Sequence, residues 1–294
     1  MVKVCVIQSD NRISLDYLLK TQKVTKMFCN YLKYDYEFIE IKNNEHSHLH
    51  PATKKIHVVH DFIQSDKYDI LVFLDSDAWI QNGNWLKEII HHLANDDKHG
   101  CFSRDPYLKI NTFINSGSFI LKINDYTRNM YKQIINDLTH NTAYHNLWPY
   151  DQYYISDYVF KHKDHFIVFV PDIMNTPIGK VLRHNWLKNE KMHDDLNLLM
   201  SLKKEDMDTA SFPMEVNYDK KTFPNLEEKG YEYKDVQESF QNQIGYEKVN
   251  YLLNPITYVL ILISSLFILY CVFIFYKPKT KYLTRYSSSR KRRT

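Results

Sequence analysis

The chain reads as an α/β domain: a mostly parallel, Rossmann-like sheet flanked by helices. Three observations predict this class. Short apolar runs alternate with longer helical stretches from the first residues to about residue 190. One of these runs, "ILVFL" at 70–74, is apolar without interruption, the mark of a strand buried on both faces. The length of 294 residues accommodates one large α/β domain or two small ones, and 44% hydrophobic with 25% charged residues is an ordinary globular balance.

The elements follow in order. Val2, Val4 and Val6 alternate with Lys3 and Cys5, which predicts a first strand over 2–7. A helix is read over 14–31, and "YEFIEI" (36–41) is a second strand. A helix over 52–65 leads to "ILVFL", and "WLKEIIHHLA" (85–94) is an amphipathic helix. "GCFSR" (100–104) and "GSFILKI" (117–123) are further strands, "DYTRNMYKQIINDL" (125–138) a helix and "FIVFV" (166–170) a late strand.

This predicts a folded domain over 1–190. From Leu187 the periodicity weakens, and 191–250 reads as a polar stalk or helical extension. Residues 256–276, "ITYVLILISSLFILYCVFIFY", contain no charge. At about 1.5 Å per residue such a run spans roughly 30 Å, a bilayer core, so a C-terminal transmembrane helix is expected. The tail, 277–294, is basic and suited to anionic headgroups. A single-pass membrane protein touching the lipid bilayer is therefore expected. The opening "MVKVCVIQSDNR" lacks a sustained apolar segment, which favours a folded domain on the cytosolic side, whereas the basic tail favours the opposite orientation. Tail charge only biases orientation, whereas a folded domain needs a route across, so the folded domain is expected on the cytosolic side.

The net charge of +3 hides an asymmetry. The last 18 residues carry eight Lys or Arg and no acid, leaving the remainder at −5. An acidic body argues against nucleic acid as a partner. The four cysteines form no C-x-x-C pair, so neither a zinc site nor a disulfide framework is predicted.

The chemistry is concentrated at the end of "ILVFL", where Asp75-Ser76-Asp77 follows. In open α/β sheets ligands bind beyond the C-terminal ends of strands. Side chains at i and i+2 of an extended segment point the same way, so two carboxylates can share one hard cation such as Mn²⁺ or Mg²⁺. The plainer alternative is a polar turn in which an Asp caps the next helix.

"ILVFLDSDAWIQN" resembles the D-x-D segment of GT-A glycosyltransferases, and most closely that of glycosyltransferase family 34, the galactosyl-, mannosyl- and xylosyltransferases. The resemblance covers about residues 2–190, with further segments in order: "VKVCVIQSDNR", "CNYLKYDYEFIEI", "ATKKIHVVHDFI", "INTFINSGSFILK", "PYDQYYI" and "VFVPDIMNTPIGKVLRHNWLKN". It implies a GT-A fold and a metal site of Asp75, Asp77 and His184, with Asp75 also reaching the donor. It places Gln8, Ser9, Asp10, Arg12, Lys55, Asn115, Gly117 and Lys188 at the nucleotide-sugar donor. For several of these the residues alone allow a plainer role: a turn and helix cap at 9–11, a solvated Lys188, a simple turn at Gly117. Of the pair Lys54-Lys55, the match favours Lys55, which precedes Ile56. The family carries a glycine shortly after the metal-binding histidine, where this chain has Leu187.

Asp151 and Gln152 match the catalytic acidic-Gln step, although Asp151 could simply cap a helix. The expected activity is metal-dependent transfer of a hexose or pentose from a nucleoside diphosphate sugar to a glycan or protein acceptor. Retention of configuration is the expected stereochemistry, through front-face transfer. Two other readings stand beside it. A phosphatase of the haloacid dehalogenase type also places D-x-D after an apolar strand, but its motif continues to Thr near the start of the domain, whereas here Ala78-Trp79 follow. A catalytically degenerate GT-A module serving as a membrane-anchored binding or structural unit is the other.

Overall fold

The computed structural model describes residues 2–105, 113–171, 173–188, 190–203 and 207. The elements run β1 (Val4–Asp10), α1 (Asp16–Leu32), β2 (Asp35–Glu40), α2 (Pro51–Ile63), β3 (Ile70–Asp75), β4 (Ala78–Ile80) and α3 (Gly83–Asn95). They continue with β5 (Gly100–Arg104), β6 (Ile114–Lys122), α4 (Asp125–His140), α5 (Asp151–Lys161), β7 (Phe166–Phe169), β8 (Leu182–His184) and α6 (Glu190–Met200).

Six strands form one sheet in the order β2-β1-β3-β6-β5-β7, and β4 pairs with β8 in a separate two-stranded ribbon. Because β2 and β3 lie on opposite sides of β1, a topological switch point opens beyond the C-terminal ends of β1 and β3. The pairs β1–β2, β1–β3 and β5–β7 are parallel, while β6 runs antiparallel to both β3 and β5. The sheet is thus mostly parallel, with one reversed strand that period and composition did not announce. The reversal matters for function. With Leu74 registered against Ser118, it brings the start of β6 beside the end of β3.

The first strand differs from the expected alternation. Every residue of β1 is buried, Cys5 included, and Val2 lies outside the strand at 43% exposure. Gln8, Ser9 and Asp10 continue β1 instead of turning, since both neighbours offer partners that far, Ser9 against Asp75 and Asp10 against Glu40. Asn115 and Gly117 likewise lie within β6, not in a turn before it.

Residues of α1, α3 and α6 share one core cluster with alternate residues of β1 and β3 and with the β4–β8 ribbon, around a fully buried Trp79. On the other side α2, α4 and α5 pack against one another, above the stacked Phe73 and Phe119 rings (4.8 Å). The α6 helix begins the stretch expected to be a stalk or extension, yet it docks on α1. Met192, Leu196 and Leu199, spaced on one helical face, are buried, and Arg183 Nη1 pairs with Asp195 Oδ2 at 2.7 Å. Each such buried apolar side chain contributes roughly 1.5–3 kcal/mol. Among the described residues no helix is long and apolar enough to cross a membrane. The expected span at 256–276, the basic tail and most of 191–250 lie outside the described residues.

Candidate active site at the end of the third strand

A cleft of about 300 Å³ opens at the switch point, lined by Ser9 and Asp10 at the end of β1, by Asn11 and Arg12 after it, by His50 at the cap of α2 and Lys55 within it, and by Asp75, Ser76, Asp77, His184 and Lys188. Its size suits a ligand. Asp75 ends β3, and Asp77 immediately precedes β4. The ribbon then sets the third group: Ala78 registers against His184 across the β4–β8 pair, which places the imidazole next to Asp77.

His184 Nε2 lies 3.1 Å from Asp77 Oδ1 and 3.9 Å from Asp75 Oδ2. One ligand atom from each of the three residues falls within 4.8 Å of the others. Two carboxylates and an imidazole are a donor set suited to a hard or borderline divalent cation. Donor atoms this close together can meet a single ion, so the residues fit the expected metal.

The surrounding charges are ordered. Lys55 is 8% exposed, and its Nζ donates to Asp75 Oδ1 (2.8 Å) and Oδ2 (3.1 Å) and lies 3.2 Å from Asp151 Oδ2. Burial would lower its pKa, but Asp151 and Asp75 together hold it above the usual amine range. Asp75 is pushed up to about 6, chiefly by burial, which Lys55 only partly offsets. Burial acts on Asp77 in the same sense, yet His184 and Lys188 outweigh it and hold the carboxyl well below the usual range. Lys188 reaches Asp77 Oδ2 at 3.3 Å and sits over the Tyr17 ring. No glycine forms its loop. Asn185 Oδ1 accepts the Leu187 N–H, and Lys188 itself takes the positive φ of 49°.

At the rim, Arg12 grips Asp10 in a fork, Nε to Oδ1 at 3.0 Å and Nη2 to Oδ2 at 2.8 Å. The Arg12 side chain remains 53% exposed. Ser9 Oγ is buried and has no hydrogen-bond partner among the described residues, although Ser9 lines the cleft. Tyr17, Thr25, Tyr126 and Tyr131 carry hydroxyls in the same state, and of the five only Ser9 lines the cleft, where a ligand could supply the partner.

Other expected residues do not line the cleft themselves: Gln8, Asn115 and Gly117 lie against groups that do, and Asp151 meets it through Lys55. Gln8 is 0% exposed: its Nε2 donates to the carbonyls of Asp75 (3.2 Å) and Ala78 (2.9 Å), and its Oε1 accepts from Tyr36. It pins the D-x-D turn to the sheet. Lys54 Nζ donates to the carbonyls of Lys42 and Asn43, away from the cleft. Asn115 Oδ1 lies 3.0 Å from His184 Nδ1. Gly117 forms the bed of the imidazole: a Cβ there would fall 2.1 Å from His184 Cε1 and Nδ1. Asp151 opens α5, and Gln152 Nε2 donates to Asp105 Oδ2 at 2.8 Å.

Three site residues escaped the sequence reading. Asp105 follows β5 directly, an acid at a strand end like Asp75, but β5 is the mixed run GCFSR and gives a weaker signal than ILVFL. His50 caps α2 and stacks on Tyr150 with centroids 4.2 Å apart, and Asn175 donates to the carbonyls of Asn115 and Ser118. Neither carries a signal in the sequence, since each acquires its neighbours only through the fold.

No protein-family model and no curated protein matches the chain. Solved structures do. A glycosyltransferase involved in glycosylation of the major capsid of PBCV-1 aligns at 15% identity with a TM-score of 0.53, covering 67% of this chain and 98% of that one. The glycosyltransferase GlyE of Streptococcus pneumoniae TIGR4 aligns at 12% identity and TM-score 0.46, over 70% of this chain and 62% of that one. The galactosyltransferase LgtC, solved with donor and acceptor sugar analogues, aligns at 11% identity and TM-score 0.45, over 69% and 98%. At such identities the likeness is one of fold, and in its fold this chain resembles the GT-A glycosyltransferases.

Proposed function

We propose that the chain is a metal-dependent glycosyltransferase that moves a hexose or pentose from a nucleoside diphosphate sugar to a glycan or protein acceptor. The observation that carries this reading is the convergence of Asp75, Asp77 and His184 at the switch-point cleft. The fold adds to it. A Mn²⁺ or Mg²⁺ ion held by these three residues would supply positive charge to offset that developing on the departing diphosphate.

The chain's own residues account for the rest. Ser9 and the Asp10–Arg12 pair stand where the nucleoside and diphosphate would enter. Lys188 adds a cation on the diphosphate side of Asp77. Lys55 holds Asp75 and Asp151 together, so the carboxylate beside the sugar is oriented by the same ammonium that steadies the D-x-D acid. Asp151 would then face positive charge developing at the anomeric carbon, with Gln152 next to it. Transfer with retention, from the front face, is the stereochemistry we assign. Residues 256–276 would attach the enzyme to a bilayer as a single-pass protein, and recovery of the chain in the soluble fraction after alkaline extraction of membranes would count against that attachment.

The reading is tested by nucleotide release from a panel of sugar nucleotides, with the full chain in detergent, Mn²⁺ or chelator, and an Asp77→Ala control. Metal-dependent release from one donor, lost in the variant, is expected. No release and no calorimetric binding of any donor by a folded sample would overturn it.

A further inference from the structure

Behind the cleft a buried chain of hydrogen bonds runs Gln152–Asp105–Asn115–His184. Gln152 Nε2 and Asn115 Nδ2 both donate to the same Asp105 oxygen, at 2.8 and 3.0 Å. Asn115 Oδ1 accepts the Gly117 N–H at 2.9 Å and lies 3.0 Å from His184 Nδ1. All four residues are buried, with exposures of 9% or less.

The orientation of the Asn115 amide is decided by its neighbours. A backbone N–H can only donate, so the atom facing Gly117 is oxygen. A carboxylate accepts, so the atom facing Asp105 is the NH₂. His184 Nδ1, facing that oxygen, must therefore carry a hydrogen. This leaves Nε2 as the ring atom turned toward Asp77 and Asp75. Histidine ligands depend on such a partner at the other nitrogen to fix their tautomer and ring orientation. The same Asp105 oxygen occupies the amide nitrogen of Gln152, which leaves Gln152 its carbonyl end for a sugar or acceptor hydroxyl.

We propose that Asp105 is a positioning residue of the transferase, coupling the metal ligand His184, through Asn115, to the reaction-centre residue Gln152. This rests on the glycosyltransferase reading. Neither Asp105 nor Asn115 meets the ion; each acts through His184. Asp105 acts additionally through Gln152, so its removal weakens cation binding and slows turnover at saturating cation.

The test is Mn²⁺ affinity of the full chain by calorimetry, measured beside kcat and KM. Asn115→Ala and Asp105→Ala are expected to lose about 10–100-fold in Mn²⁺ affinity. In a His184→Ala background the Asn115→Ala change should cost nothing further, whereas a general loss of structure would cost the same in both backgrounds. Asp105→Asn keeps an acceptor oxygen in place and should retain affinity within a few-fold. Asp105→Ala at saturating Mn²⁺ should still lower kcat with KM for donor little changed. Should Asp105→Ala not fold, the Asn115 cycle and Asp105→Asn carry the test. Wild-type affinity in the Asn115 and Asp105 variants, beside a site that Asp77→Ala abolishes, would overturn this inference and leave the transferase reading standing. Absence of Mn²⁺ binding by the wild type would overturn both.

Discussion

Gly117→Ala isolates the packing on which His184, the proposed metal ligand, depends. The change adds one methyl group within β6. It forces no unusual backbone, since Gly117 does not occupy the left-handed region, so the effect is steric alone. The added Cβ would lie 2.1 Å from His184 Cε1 and Nδ1 and 2.8 Å from Cγ. To reach an ordinary contact of 3.4 Å the ring has to retreat by about 1.3 Å. That displacement exceeds what the 3.0 Å contact with Asn115 and the 3.1 Å contact with Asp77 can absorb. Loss of ligand orientation costs about 10–100-fold in metal affinity, and misplacement by ~1 Å costs on the order of 100-fold in turnover. Overpacking itself costs about 1–3 kcal/mol, or roughly 2–12 °C in thermal midpoint for a domain of this size. Calorimetric Mn²⁺ titration and thermal unfolding followed by circular dichroism measure the two effects. Wild-type affinity with an unchanged midpoint would refute the claim that Gly117 makes room for the imidazole.

Three further outcomes are expected. Lys55→Met leaves Asp75 and Asp151 without their shared cation, which should cost about 3–5 kcal/mol in urea unfolding at neutral pH, and an unchanged midpoint would contradict the buried pairing. His57 is held down from its ordinary 6.5 to about 4 by burial and by the stacked His46. The unfolded chain then binds the extra proton first, so stability should fall as pH drops from 6.5 toward 4, and His57→Gln should flatten that part of the profile. Burial pushes the Cys5 thiol up to about 12 and raises Cys29 and Cys101 further, so iodoacetamide should label these three only after unfolding, and rapid labelling of the folded protein would show the burial to be wrong.

How much of this was readable beforehand depends on the range of the forces involved. The D-x-D acids were legible because an apolar run that stops at two carboxylates is a local pattern, and the strand carrying it formed where the run lies. The neighbouring lysines part company for a geometric reason: one helix position turns Lys55 toward Asp75 and Lys54 toward the 42–43 loop, a difference the Lys-Lys pair does not show locally. Gln8, expected at the donor, donates to the carbonyls of Asp75 and Ala78, contacts that were not legible because a polar side chain at the end of a strand has the same local signature whether it meets a ligand or a neighbouring carbonyl. Gly117 was read as a turn or a donor contact, and only the approach of His184 from 67 positions downstream explains it.

The sequence by itself determined the alternation of strands and helices, the buried third strand and the acids at its end. Periodicity and charge within ten or so residues are sufficient for these. The reversed direction of β6, the β4–β8 ribbon that delivers His184, and the chain from Gln152 to His184 were decided only in the tertiary structure. They arise from pairings between segments far apart along the chain, where register and burial choose among partners that look alike locally.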